Sequence, residues 1–241
     1  MKYLFDAAGL NRIAARHDAN NPKSGRVMEK AGMRLEGVLR EAGKNNQGIC
    51  DDVWHAMIRS DREEQSELKL DLEDYEWPFE YTDHDRRIVR AVCYDDEGFF
   101  YFARVRRNDD FGEATLIETS GGGAEDGEDL ILALKRELKE ELGAEVEVIR
   151  KLGVVSDFYN LIHRHNVNHY YLCKIVSFGD TSQTQDEIKS FHLSTLKMTY
   201  AEALEEYEKR RESKLGRLIA NRELPVLMRA KEYMDRPPAL Q

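Results

Sequence analysis

Gly122-Gly123-Ala124-Glu125-Asp126-Gly127-Glu128, continued by Asp129 to Lys135 and then by Arg136-Glu137-Leu138-Lys139-Glu140-Glu141-Leu142-Gly143-Ala144, joins a glycine-rich run to an acidic, leucine-rich one. The glycines at 121 to 123 predict a break in regular structure, and Glu128 to Leu142 predicts a helix. Leu130, Ile131, Leu134, Leu138 and Leu142 recur at helical spacing and supply its apolar face. Glu137, Glu140 and Glu141 stand at i, i+3 and i+4, so a helix gathers them on a stripe roughly 100° wide. Three carboxylates this close repel one another unless a cation lies among them. Hard oxygen donors of this kind suit Mg2+ or Mn2+. The competing reading is a solvated acidic face paired with Lys135 and Lys139. The glycine-rich loop leaves backbone groups free to approach a ligand. Arg136 is placed to orient a neighbouring acid or to meet a phosphate.

The same residues fit the pattern G-x5-E-x7-R-E-U-x-E-E-x-G-U, with U a bulky aliphatic residue, at Gly122, Glu128, Arg136, Glu137, Leu138, Glu140, Glu141 and Gly143. Ala144, smaller than usual, is the one departure. On these positions the segment resembles the Nudix hydrolases. The resemblance implies an α/β/α sandwich with a mixed sheet and hydrolysis of a phosphoanhydride within a nucleoside diphosphate linked to another group. It also implies metal ligands at Glu137, Glu140, Glu141 and the Gly122 carbonyl, with Gly123 in the same loop. Arg136 would hold Glu137, and Glu128 would be a structural acid. The family often draws a further acid from a loop after the box, where Asp186 and Glu187 lie; Glu187 is the candidate base.

Outward from the box, β-rich runs at Ile88–Tyr94 and Phe99–Val105 flank a hairpin signal at Asp95-Asp96-Glu97-Gly98. Further strands are expected at Thr115–Glu118, Val146–Val155, Leu161–His163 and Tyr170–Ile175. Thr199 to Met234 reads as helix interrupted around Pro225. Helices outside mixed strands give an α/β (α+β) class. The run Asp157 to Tyr171 is dense in histidine, asparagine and aromatics. Tyr159, His163, Arg164 and His165 are therefore candidates for substrate binding, by stacking on a base or meeting phosphate; an ordinary sheet edge is the alternative. No proline occurs between Pro78 and Pro225, so the proline that many ADP-ribose members carry after the box is missing.

Residues 63–75 read as a polar linker, separating residues 1–62 from a Nudix-like domain at 76–241. In the first segment, Arg12–His17 predicts a strand and Pro22 a helix start, with Gly32 as its stop. Strands follow at Arg34–Glu41 and Asp52–Arg59, around a hairpin loop at Gly43–Gly48. The runs Leu10 to Arg16, Asn20 to Met33 and Glu36 to Arg40 resemble the C-terminal half of a GNAT N-acetyltransferase, a partial β-α-β-β segment. That likeness would place Asn21 and Ser24 near acetyl-CoA. The likeness places the family's glycine-rich pyrophosphate turn just before Met1, and without such a turn weak CoA binding is expected. A half-fold leaves strand edges open, so this piece is expected to pack on the rest or to pair with another copy in a homodimer. A CoA-dependent acyltransferase with a nucleotide-sensing Nudix domain is the alternative function.

The 241 residues carry a formal net charge of -10, which disfavours non-specific binding to nucleic acid or anionic membrane but not to a small metal-bridged nucleotide. Cys50, Cys93 and Cys173 form no CxxC pair and read as buried thiols of a reducing compartment. Asp6 comes too early for a signal peptide and no run is long enough to span a membrane, so the cytoplasm is expected.

Overall fold

The computed structural model describes residues 2–6, 8–65, 67–179 and 194–235. Contacts divide the chain into two units, Met1–Glu67 and Leu68–Arg236.

The first unit holds α1 (Lys2–Asp6), β1 (Arg12–Asp18), α2 (Pro22–Lys30), β2 (Arg34–Asn45), β3 (Gly48–Ile58) and α3 (Arg59–Gln65). Its antiparallel sheet runs β1-β3-β2. Phe5, Met33 and Met57 form a small core with Ile13, Ala15 and Met28. Pro22 opens α2, and Gly32 follows it at φ 83°, the left-handed conformation glycine adopts freely. The expected loop at Gly43–Gly48 is narrower: Asn45 pairs with Gly48, so only two residues turn. The strand before it is bulged between Leu39 and Gly43, where Glu41 takes a positive φ. Asn21 Nδ2 donates to Ser24 Oγ at 3.0 Å, so the two residues expected near acetyl-CoA bond each other.

The second unit contains β4 (Leu68–Leu72), β5 (His84–Tyr94), β6 (Phe100–Asp109), β7 (Gly112–Glu118), β8 (Ser120–Gly123), α4 (Leu130–Leu142), β9 (Ala144–Tyr159), β10 (Arg164–Phe178), β11 (Ser194–Met198), α5 (Tyr200–Arg210) and α6 (Lys214–Met234). The mixed sheet runs β11-β6-β5-β10-β9-β4, with β7 on β6 and β8 on β5. β10 is parallel to β5, and β4 is parallel to β9. One face carries α4, over Val89, Ala91, Cys93, Tyr171 and Cys173. The other carries α5 and α6, over Val92, Phe102, Leu152, Val155 and Tyr170. Helices on both faces make the α/β/α sandwich.

Several boundaries differ from the sequence reading, each for a physical reason. Residues 68–72, read as linker, form an edge strand because Leu68, Leu70 and Leu72 alternate into the core. Gly121–Gly123 do not break the sheet but pair with Arg90, Val89 and Ile88. Glycine is needed here for close approach: at Gly121, with φ 146°, an added Cβ would lie 2.0 Å from the Val89 carbonyl oxygen. α4 starts at Leu130, not Glu128, because the Asp129 carboxylate accepts from the N–H groups of Ile131 and Leu132 at 2.9 and 3.1 Å. Leu161–His163 is not a strand. A single 3-10 turn, Asn160–Ile162, joins β9 to β10, and His163 exits it in the left-handed region at φ 52°. Pro225 lies inside α6, and the break falls earlier, between Arg210 and Lys214. Buried Leu224, Val226 and Leu227 hold the helix together through a proline that on an exposed face would cost about 3 kcal/mol.

All three cysteines are buried and free. No helix among the described residues is long and apolar enough to cross a membrane.

Candidate active site

The box helix α4 buries Ala133, Leu134, Leu138 and Leu142 against the sheet, each leucine contributing about 2 kcal/mol. That fixes the rotation of the helix and carries Glu137 and Glu141 toward β8. Gly143, at φ 62°, ends it.

Arg136 organises the loop before the helix. Its Nη1 donates to Glu137 Oε1 at 2.7 Å, its Nη2 to the Gly123 carbonyl at 3.1 Å, and its Nε and Nη2 to the two Glu128 oxygens at 3.2 and 3.1 Å. Glu128 in turn accepts from the Glu125 N–H at 2.9 Å, and Arg136 lies 3.5 Å from Glu140. The hydrogen bond from Arg136 holds the Glu128 carboxyl below its ordinary value. Glu141 accepts from the Gly121 N–H at 3.0 Å. Burial pushes its carboxyl up to about 7, assisted by the negative charges of Glu137 and Glu118 and opposed by the Gly121 N–H and Arg90.

Gly122 faces Glu137 so closely that an added Cβ would fall 2.2 Å from Glu137 Oε2. A Gly122→Ala variant must therefore move that carboxylate. We expect its kcat/KM on any substrate of the site to fall about a hundredfold, as displacement by an ångström does at a reacting centre; steady-state kinetics within about threefold of wild type would refute this.

Two adjoining concavities open beside the box. The first, of about 310 Å3, is lined by Gly121, Gly122, Gly123 and Glu141 on one side and by Arg86, Arg90 and Arg107 on another. The second, of about 150 Å3, shares Arg86, Arg90, Arg107 and Glu118 and adds Phe111, Tyr159, Arg164 and Arg222. Its floor is a buried ionic network. Arg222, 1 % exposed, reaches Glu118 at 2.8 Å, Asp157 at 3.2 Å and Glu223 at 2.9 Å. Arg90 joins it through Glu118 at 3.1 Å, and Tyr170 donates to Glu223 at 3.1 Å.

The candidate residues from the sequence separate here. Glu137, Glu140, Glu141, Arg136, Gly122 and Gly123 come together in the box. Tyr159 and Arg164 line the second concavity, but the Tyr159 hydroxyl accepts from Arg222 at 2.7 Å and its ring is only 7 % exposed, leaving no open face for a base. His163 lines neither concavity and stacks on Tyr81 at 4.1 Å. His165 also lines neither. It stacks on Phe158 at 4.4 Å and bridges Ser156 Oγ and Asp85 at 2.8 and 2.7 Å. Asp186 and Glu187 lie outside the described residues. The sequence reading missed Arg86, Arg90 and Arg107. The period-two set Arg86, Ile88, Arg90 on β5 was the available signal, since alternate strand residues share a face.

Residues 84–218, more than half of the chain, match the family model of the NUDIX domain. The chain belongs to the Nudix family. Residues 1–34 match the model of the acetyltransferase (GNAT) domain. Among solved structures, the Nudix hydrolase from Nitrosomonas europaea is 17% identical with a TM-score of 0.48, covering 66% of this chain and 97% of its own. The MutT Nudix hydrolase from Burkholderia pseudomallei is 18% identical with a TM-score of 0.39, covering 49% of this chain and 86% of its own. A GNAT-family acetyltransferase from Bacillus anthracis is 36% identical with a TM-score of 0.23, but over 24% of this chain, which spans only 36% of that protein. The comparison with curated proteins gave no match.

Among the described residues no three His, Cys, Asp or Glu side chains already converge as a metal cage. The donor chemistry of the Nudix box nevertheless fits a divalent cation. Glu137 and Glu141 are two carboxylates that disfavour each other's charge, and Gly122 leaves the Glu137 oxygens uncovered by any Cβ. Hard oxygen donors with this surplus of negative charge match Mg2+ or Mn2+.

Proposed function

We propose that this Nudix protein is a metal-dependent pyrophosphohydrolase, cleaving a phosphoanhydride in a nucleotide-type substrate. The observation that carries the reading is Glu141 in a cleft walled by Arg86, Arg90 and Arg107 and by Gly121–Gly123, with Glu137 against Gly122 and Glu140 on the next turn of α4. Glu137, Glu140, Glu141 and the Gly122 carbonyl would hold Mg2+ or Mn2+. When bound, such a cation activates water and neutralises phosphate charge. Arg136 keeps Glu137 oriented and pins the loop through Gly123 and Glu128. The positive charge of the cleft draws the substrate's phosphates toward the box and stabilises charge as the bond breaks. Glu187, or Asp186 beside it, is our candidate for the base. The free, buried cysteines fit a reducing compartment, which we take to be the cytoplasm.

The experiment is product release from a panel of nucleoside polyphosphates, dinucleotides and nucleotide sugars in Mg2+ or Mn2+, with EDTA and Glu137→Gln as controls. We expect turnover that vanishes in EDTA and in the variant. No phosphorylated product from any substrate, or equal turnover in EDTA, would overturn the reading.

A further inference from the structure

The outer part of the cleft is more cationic than cleavage of one diphosphate needs. Arg86 from β5, Arg107 from β6 and Arg164 from β10 meet in a space of about 150 Å3. In the floor of that space Arg90 and Arg222 pair with Glu118, and Arg222 also with Asp157 and Glu223. Toward the outside the balance changes. Arg107 has Asp109, with Nε to Oδ2 at 2.6 Å. Arg86 and Arg164 have no carboxylate partner among the described residues. Among the described residues the buried Arg164 Nε–H meets no acceptor. Burial, and then the charges of Arg86 and Arg107, weaken its hold on the proton. Convergent guanidinium groups and an orphaned buried N–H are costly to maintain. An incoming anion removes both costs.

The lining also disfavours a neutral guest. The Tyr159 ring is closed off, and Phe111 lies under the Arg107 guanidinium at 5.3 Å and edge-on to Trp77 at 5.3 Å. The Tyr159 hydroxyl is thus engaged by Arg222, and Arg107 already lies over the Phe111 ring. A phosphoryl group, with oxygens set to receive a guanidinium fork, matches what is present. The two concavities share Arg86, Arg90 and Arg107 in their walls. Arg86 Nη2 lies 3.1 Å from where a Cβ on Gly123 would stand, so the arginine wall abuts the box itself.

We propose that Arg86, Arg107 and Arg164 form a phosphate-binding arm that selects substrates with further phosphoryl groups beyond the bond to be cleaved, over substrates ending there in a neutral sugar or base. The proposal rests on the pyrophosphohydrolase reading of the same cleft. Two measurements keep the two apart. The first is kcat/KM in Mg2+ for nucleoside tri- and tetraphosphates against nucleoside diphosphate sugars of the same base. The second is metal-free titration with inorganic tripolyphosphate, which needs no turnover.

Wild type should prefer the polyphosphate ends by about tenfold or more, and Arg86→Gln or Arg164→Gln should each erase about tenfold of that ratio, through KM more than kcat. Tripolyphosphate affinity should fall by a similar factor. Arg164→Lys, which keeps the charge and loses the fork, should retain part of the preference. Hydrolysis without discrimination, or tripolyphosphate binding that neither glutamine variant weakens, would overturn the arm and leave the hydrolase reading standing. Arginine-dependent tripolyphosphate binding with no hydrolysis of any substrate would do the reverse.

Discussion

Glu141→Gln is expected to abolish hydrolysis and, in metal-free buffer at pH 8, to make the protein more stable. Both effects come from one carboxyl group. Burial pushes Glu141 up to about 7 from an ordinary value of 4.5, with Glu137 and Glu118 adding to the cost of its charge. An acid whose folded value is raised binds more protons folded than unfolded between those two values. Stability therefore declines as pH rises from about 4.5 to about 7 and stays low above it. The loss is on the order of 2 kcal/mol, less than the full shift gives, because the side chain is not wholly sealed from water. Glutamine keeps an acceptor for the Gly121 N–H and carries no charge. In EDTA the melting temperature of wild type should drop across this window while that of the variant stays nearly level. Mg2+ should restore wild type and leave the variant unmoved. Activity should fall more than about a hundredfold, since groups that merely orient a metal ligand already cost roughly 10–100-fold. Equal pH slopes for the two proteins would show that the strain is not seated at Glu141.

The box was legible because its carboxylates, its glycine loop and Arg136 all sit within one helix and the turn before it, where chain spacing is spatial spacing. The arginine wall was not. Arg86, Arg107 and Arg164 come from three strands, and only the sheet order brings β6, β5 and β10 side by side. Local rules failed where packing outweighed them. Three successive glycines signal a break, yet Gly121 is a strand residue because Val89 leaves no room for a Cβ. Proline signals a helix end, yet Pro225 sits in α6 between buried Leu224 and Val226. Asp129 shows the opposite case: a capping residue one place past Glu128 was in plain view, and it sets the start of α4. His163 and His165 drew notice by composition. Their partners, Tyr81 and Asp85, were invisible until the sheet placed them.

Replacing Arg222 by alanine is expected to cost about 3–5 kcal/mol of stability, because it leaves buried carboxylates without their counter-charge. Arg222 comes from α6 and meets Glu118 of β7, Asp157 and Tyr159 of β9, and its own neighbour Glu223. Glu223 also accepts from Tyr170 and Thr119, at 3.1 and 2.8 Å. Asn168 ties Asp157 to Arg90, completing a loop through β10 and β5. Burial alone would raise the Glu118 carboxyl, but Arg90 and Arg222 bring it net below its ordinary value. A depressed carboxyl contributes stability above its unfolded value, and that contribution is lost as pH falls through the folded one. The alanine variant should thus lose most at neutral pH and differ least from wild type in acid. Urea denaturation at pH 7 and pH 4 measures this. A loss below about 1 kcal/mol at pH 7 would mean that water or a relaxed Arg90 takes over the pairing. Arg222→Ala combined with Glu223→Gln should recover part of the loss, because the second change removes one stranded charge. The same network supports Arg90 and the cleft floor, so substrate affinity should weaken along with stability even though Arg222 lies beneath the site.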